Sequence, residues 1–227
     1  MQQVVNDIGT IVIDPGHGGT RNLAGSSANN AVAVSGVPEK HLTLTIALAL
    51  KAELAAQAAA KGERIKVVLT RSADVNVTGA KRAGAAAGNK ARAFLSIHFN
   101  GSANAKVRGP ETFYRAPENG NSNLAADLAF ARTVHAGLVA GLRAAGLAGR
   151  DRGVRPDTLT ALGALGVLSD ARLGGGCRAA LCEIEFITNA EVDRALVSGV
   201  DAAANRALLV SELAKAIRAA LREAAPV

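Results

Sequence analysis

The chain has 227 residues, 49% hydrophobic and 20% charged, with 26 Lys and Arg against 19 Asp and Glu for a formal net charge of +7. A chain of this length and composition buries a substantial core, which excludes general disorder; its longest apolar run, Leu42 to Leu50, holds two threonines and stops at Lys51, short of the roughly 20 residues of a membrane-spanning helix. One Tyr, five Phe and no Trp leave few flat faces for stacking, which excludes a stacking lectin and a nucleic-acid binder that stacks unpaired bases.

Positive charge is scattered in small groups (Lys61, Arg64 and Lys66; Lys81 and Arg82; Arg150, Arg152 and Arg155) and reads as a solvated, mildly basic surface, with attraction to an anionic polymer as the alternative. The two cysteines, Cys177 and Cys182, are too few for a zinc ribbon and leave two readings, a local disulfide or two partly buried thiols.

Ile11-Val12-Ile13, ended by Asp14-Pro15-Gly16, predicts a buried strand running into a loop rich in Gly, Ser and Asn that lasts to about Pro38. Leu42 to Ala60 predicts a helix, Lys66 to Leu69 a strand, Ala80 to Ala93 an Ala-rich helix and Phe94 to Ile97 a third strand. Thr112 to Tyr114 reads as a strand and Asn123 to Ala145 as a helix. Gly146 to Gly176 reads as mostly loop, with one short strand around Gly166 to Leu168. Leu181 to Ile187 is a further strand, and Leu209, Leu213, Ile217 and Leu221 mark the apolar stripe of a C-terminal helix. Strands alternating with helices predict an α/β fold: a single unit over residues 1–227 with a twisted, mostly parallel central sheet flanked by helices.

His17 follows the first strand and His98 directly follows the third, so both imidazoles are expected at the carboxyl edge of the sheet, where open α/β sheets bind ligands. Glu39, just before the first helix, is placed to reach the same edge. Two imidazoles and a carboxylate are a catalytic zinc ligand set with a fourth position left for water. Each residue also has a plain structural reading: His17 in a turn, His98 in the core, Glu39 beside a helix dipole.

Five stretches occur in order: Ile13-Asp14-Pro15-Gly16-His17-Gly18-Gly19; Pro38-Glu39-Lys40; Leu69-Thr70-Arg71 with Asp74; Ser96-Ile97-His98-Phe99-Asn100; and Glu183-Ile184-Glu185-Phe186-Ile187-Thr188-Asn189. Together they resemble the zinc-dependent N-acetylmuramoyl-L-alanine amidases of the amidase-3 type, from about Ile11 to the final helix. The resemblance implies a phosphorylase/hydrolase-like fold, one Zn2+ held by His17, Glu39 and His98, Glu183 as the catalytic carboxylate and Arg82 as a structural residue. Glu185 stands where the family more often has Gly. Because side chains alternate along a strand, it shares a face with Glu183 and is the alternative acid, or else a group that orients a ligand or binds the substrate's peptide.

The implied activity is hydrolysis of the amide between N-acetylmuramic acid and L-alanine. Peptidoglycan or muropeptides are the expected partners of a monomeric periplasmic or extracellular enzyme. Met1 to Thr10 has neither a cationic start nor an apolar core, which for such a protein implies a leader already removed or another export route. Two alternatives stay open: a zinc peptidase or carboxypeptidase acting on wall peptides, which uses the same donor set, and a degenerate wall-binding domain without catalysis.

Overall fold

The computed structural model describes residues 5–223. One six-stranded sheet carries strands β1 (Asn6–Pro15), β2 (Glu63–Leu69), β3 (Ala93–Asn100), β4 (Glu111–Tyr114), β5 (Gly153–Pro156) and β6 (Arg178–Phe186) in the order β2-β1-β3-β6-β4-β5. Strands β2, β1, β3 and β6 are parallel; β4 runs antiparallel to β6, and β5 is parallel to β4. The helices are α1 (Glu39–Ala59), α2 (Gly79–Gly88), α3 (Leu124–Ala144), the short α4 (Asp170–Leu173) and α5 (Ala190–Asp193), and α6 (Ala202–Glu223).

The central strands are apolar on both faces because both faces are covered. Ile11, Ile13, Leu95 and Ile97 pack on one side with Ile46 and Leu50 of α1, Val134 and Leu138 of α3, and Leu213 and Ile217 of α6. Val12, Phe94, Ala179 and Leu181 pack on the other with Ala83 and Ala86 of α2 and Leu173 of α4. The C-terminal stripe Leu209, Leu213, Ile217 and Leu221 is fully buried in the first layer, as expected. Helix α1 is long and apolar enough to span a bilayer by length and composition. It lies on the sheet instead, with Leu42, Ile46, Leu50 and Leu54 in the core.

Several boundaries differ from expectation. The second helix stops at Gly88 because Asn89 caps it, its side chain donating to the Ala85 carbonyl, and Lys90 takes a left-handed φ of 50° that turns the chain into β3. His98 therefore lies within β3 rather than after it. Gly166 to Leu168 is a single 3-10 turn whose Leu168 plugs the second layer. The strand in this region is β5, a four-residue Gly-Val-Arg-Pro segment too short to show a period. Cys177 and Cys182 are free thiols on opposite faces of the sheet, so the local disulfide does not form; burial pushes both up to about 12.

Candidate active site

In the strand order, β1 lies between β2 and β3, and the chain leaves β1 toward one side and returns on the other. The crevice at the carboxyl ends of β1 and β3 is such a topological switch point, the usual ligand position in an open α/β sheet. His17 reaches it from the loop after β1 and His98 from near the end of β3, while Glu39 opens α1.

The His17 loop is held from beneath. His17 has a left-handed φ of 63°, uncommon for a residue with a side chain, and Gly18 follows at 133°. A Cβ at Gly18 would lie 2.2 Å from the Val75 carbonyl oxygen, so this position requires glycine. Arg82, 2% exposed, donates to the carbonyls of Pro15 (2.8 Å), His17 (2.7 Å) and Val77 (2.9 Å) and to Asp14 Oδ1 (2.7 Å). Burial works against the Asp14 charge, but Arg82 together with the Thr70 and Ser96 hydroxyls holds that carboxyl below its usual range. Arg71 donates to the carbonyls of Pro15, Gly16 and Lys40, tying the loop to the start of α1; burial lowers its pKa to about 10. Of the basic groups that read as solvated surface, Arg82 is thus an interior clamp.

Three donor atoms converge above this base. His17 Nε2 lies 3.1 Å from Glu39 Oε1 and 3.2 Å from His98 Nδ1, and His98 Nδ1 lies 3.1 Å from Glu39 Oε1. His17 Nδ1 is 2.9 Å from the Ser27 hydroxyl, which can donate or accept, and 3.2 Å from the Ser27 carbonyl oxygen, which can only accept; a ring proton on Nδ1 satisfies both oxygens and leaves the Nε2 lone pair facing its two neighbours. Glu39 is fully buried, its Oε1 accepting from Phe99 N (3.0 Å) and its Oε2 from Ala31 N (3.0 Å). Burial works against its charge, yet the two imidazoles hold it well below the usual carboxylate range. Ligands about 2.0–2.1 Å from a tetrahedral ion are about 3.3 Å apart. The triangle formed by His17, Glu39 and His98 matches that edge, so this is a possible metal site by donor chemistry and by spacing.

Glu183 stands beside the triangle. It pairs with His98 across β3 and β6 and with Glu111 across β6 and β4. Burial, with Glu39 and Glu111 nearby, pushes its carboxyl well above the usual range, and its Oε2 has no hydrogen-bond partner among the described residues. Glu185 is differently placed. The register shifts between His98 and Asn100, and Glu185, 1% exposed, has its Oε2 accepting from the backbone of Gly109 (2.8 Å) and Phe186 (3.0 Å). Arg108 lies 3.6 Å from its other oxygen, an ion pair too long for a hydrogen bond, and that oxygen has no hydrogen-bond partner among the described residues.

A cleft of about 260 Å³ opens next to Glu183. Its floor holds residues to which no sequence motif pointed. Glu111 Oε1 accepts from Asn100 Nδ2 (2.7 Å), and Glu111 Oε2 accepts from both Arg152 Nε (3.1 Å) and Arg155 Nη1 (3.0 Å). Arg152 also lies over the Phe186 ring, 5.2 Å from its centre. In the sequence Arg152 and Arg155 read as scattered surface charge; in the fold they line the cleft.

A mostly parallel sheet with a His, Glu, His cluster at its switch point and an uncommitted carboxyl beside it defines a protein of the α/β class with a possible metal centre. The chain belongs to the Amidase_3 family, described as N-acetylmuramoyl-L-alanine amidase, whose profile matches residues 11–221. It is 42% identical over 90 residues to the N-acetylmuramoyl-L-alanine amidase CwlM of Bacillus licheniformis, a stretch covering 40% of this chain and 31% of that one. The matched stretches span less than a third of the curated relatives, 31% and 24% of their lengths. The catalytic domain of CwlV, an N-acetylmuramoyl-L-alanine amidase from Bacillus (Paenibacillus) polymyxa var. colistinus, superposes with a TM-score of 0.65 at 28% identity, over 95% of this chain and 97% of that one. Ami1 from Mycobacterium smegmatis shares the fold with a TM-score of 0.72 at 20% identity, over 94% and 97%.

Proposed function

We propose that this protein is a zinc-dependent amidase that hydrolyses the bond between N-acetylmuramic acid and L-alanine in peptidoglycan, outside the cytoplasm in the periplasm or beyond it. The convergence of His17 Nε2, Glu39 Oε1 and His98 Nδ1 within 3.2 Å of one another, in a chain that belongs to the Amidase_3 family, carries this reading. A zinc ion bound there supplies Lewis acidity, acidifying water and polarising an amide carbonyl.

The protein's own groups do the rest. Ser27 fixes the His17 tautomer, and the Phe99 and Ala31 amides fix both oxygens of Glu39. Glu183, with one oxygen uncommitted, takes the proton of the attacking water and delivers it to the departing alanine nitrogen. The lactyl carbon gains the water oxygen as its bond to nitrogen breaks, leaving a muramic carboxyl and a free alanine amine. Glu185 is assigned a structural part, since its Oε2 is occupied by the Gly109 and Phe186 amides.

The test is incubation with an N-acetylmuramoyl peptide, with chelator and then with added zinc, the products read by mass spectrometry. Release of a stem peptide with a free alanine amine, lost on chelation and restored by zinc, is expected. Cleavage inside the peptide would make the protein a peptidase, and zinc binding without cleavage would make it a wall-binding domain.

A further inference from the structure

The cleft beside Glu183 holds two guanidiniums whose hydrogen-bond donors its own structure does not use up. Glu111 is 5% exposed, and two guanidiniums meet at its Oε2 while Asn100 occupies its Oε1. Each guanidinium has five N–H donors and gives one of them to Glu111. The side chains of Arg152 and Arg155 are 26% and 34% exposed, and neither has an unpartnered buried nitrogen, so their remaining donors face the solvent of the cleft. Glu111 and Phe186 hold the two groups in place, so little side-chain entropy is left to lose when an anion arrives. Two planar guanidiniums presenting free N–H edges are built for a carboxylate.

We propose that Arg152 and Arg155 form a carboxylate-binding subsite that reads the stem peptide, selecting substrates whose residue after L-alanine carries a free carboxylate. This rests on the amidase reading above. In the muramoyl-alanine linkage the lactyl carboxyl is consumed by the amide, and the sugar around it carries only hydroxyl and acetamido groups. The nearest anionic group to the scissile bond therefore belongs to the peptide. Successive Cα atoms are about 3.8 Å apart, so the residue after alanine is within reach of side chains that neighbour the catalytic carboxylate. Glu111 lies directly opposite Glu183 in the β4–β6 ladder, which places the arginines one side chain away from the reacting centre. The +7 net charge brings anionic wall to the surface without discriminating among stem peptides; this pair supplies the discrimination.

The experiment compares two substrates that differ only in the carboxyl group next to the peptide bond, N-acetylmuramoyl-L-alanyl-D-glutamine, whose residue after alanine has one free carboxylate, and N-acetylmuramoyl-L-alanyl-D-glutamine amide, which has none, in the wild type, Arg152→Gln, Arg155→Gln and Arg155→Lys. Each single substitution leaves Glu111 one guanidinium, and circular dichroism checks that the variants fold. In the wild type kcat/KM is expected to favour the carboxylate form by about ten-fold, as for one partly solvated charge-assisted contact. Each Gln variant is expected to bring that ratio toward one, and Arg155→Lys to restore part of it.

In parallel, calorimetry measures binding of the dipeptides L-alanyl-D-glutamine and L-alanyl-D-glutamine amide to the zinc-loaded Glu183→Gln protein and to its Arg155→Gln derivative. A wild-type ratio of one, or a ratio unchanged in both Gln variants, overturns the subsite. Charge-selective dipeptide binding that depends on Arg155, with no hydrolysis of either substrate by the wild type, retains the subsite and overturns the amidase reading. Equal binding of both dipeptides with normal hydrolysis does the reverse.

Discussion

Gly16 offers the sharpest test of the metal site, because its substitution displaces His98 without replacing any of the proposed ligands. Its backbone is not left-handed, so alanine costs no conformational strain there. An added Cβ, however, would lie 2.2 Å from His98 Cε1, 2.4 Å from Nε2 and 2.6 Å from Nδ1. Ordinary carbon contacts are about 3.5 Å, so the pair must separate by about 1.3 Å. The Gly16 backbone is pinned: its amide donates to the Ile97 carbonyl (3.0 Å), and its carbonyl accepts from Thr43 Oγ1 (2.9 Å) and Arg71 Nη2 (2.8 Å). The imidazole must therefore move, and metal–ligand distances tolerate only about 0.2 Å. Gly16→Ala is expected to weaken zinc binding on the order of 100-fold, with an overpacking cost of about 1–3 kcal/mol. Competition against a chromophoric chelator reads the affinity, and thermal melts in excess chelator read the fold. Gly84→Ala, in α2 with nothing within 4 Å of its new Cβ, is the control; it should leave zinc affinity alone and stabilise the helix by up to about 1 kcal/mol. Wild-type zinc affinity in Gly16→Ala would refute the placement of His98 as a ligand.

Glu183→Gln should retain zinc and lose hydrolysis by about 10²–10⁴-fold, whereas Glu185→Gln should remain active and melt lower, by about 1 kcal/mol, since it weakens contacts to Gly109 and Phe186; the opposite pattern would exchange their roles. Arg82→Ala leaves Asp14 buried without its guanidinium and strips three carbonyls of a donor, so chemical denaturation should show a loss of about 3–5 kcal/mol. Asp127 gives the fold a pH dependence of its own: burial raises its carboxyl from 3.8 to about 6. The folded state then binds that proton more tightly than the unfolded chain does. Its contribution is full below pH 3.8 and is lost as pH rises through about 6, a change on the order of 3 kcal/mol. Denaturation of the wild type and Asp127→Asn at a series of pH values should differ in slope across that window, and parallel profiles would reject the assignment.

The parts of the fold legible in the sequence are those where burial leaves a pattern. Ile11-Val12-Ile13 and Phe94 to Ile97 are continuous apolar runs because α1, α3 and α6 cover one face of the sheet and α2 the other. The four-residue recurrence from Leu209 to Leu221 is visible for the same reason. His17, Glu39 and His98 were legible as candidates because a parallel sheet sends its carboxyl ends to one edge, although that rule gives neither the 3.1–3.2 Å triangle nor the Ser27 contact that fixes the His17 ring. Alternation put Glu183 and Glu185 on one face and did not separate them; the shift in register after His98 does, by carrying Glu185 under the Gly109 amide.

The least legible feature follows from the one reversal in the sheet. Strand β4 runs antiparallel to β6, so the beginnings of β4 and β5, rather than their ends, come to the edge that carries His98 and Glu183. Glu111 opens β4, Arg152 directly precedes β5 and Arg155 lies within it, a separation of more than 40 residues that no local period reports. An all-parallel sheet would have placed these strand starts at the far edge, away from His98 and Glu183. The reversal adds to a metal edge made by β1, β3 and α1 a wall of charge drawn from the opposite end of two other strands. On this argument the metal ligands and the groups that select the peptide come from different strands of the sheet, so substitutions at Arg152 or Arg155 should alter which stem is cut while leaving zinc affinity intact.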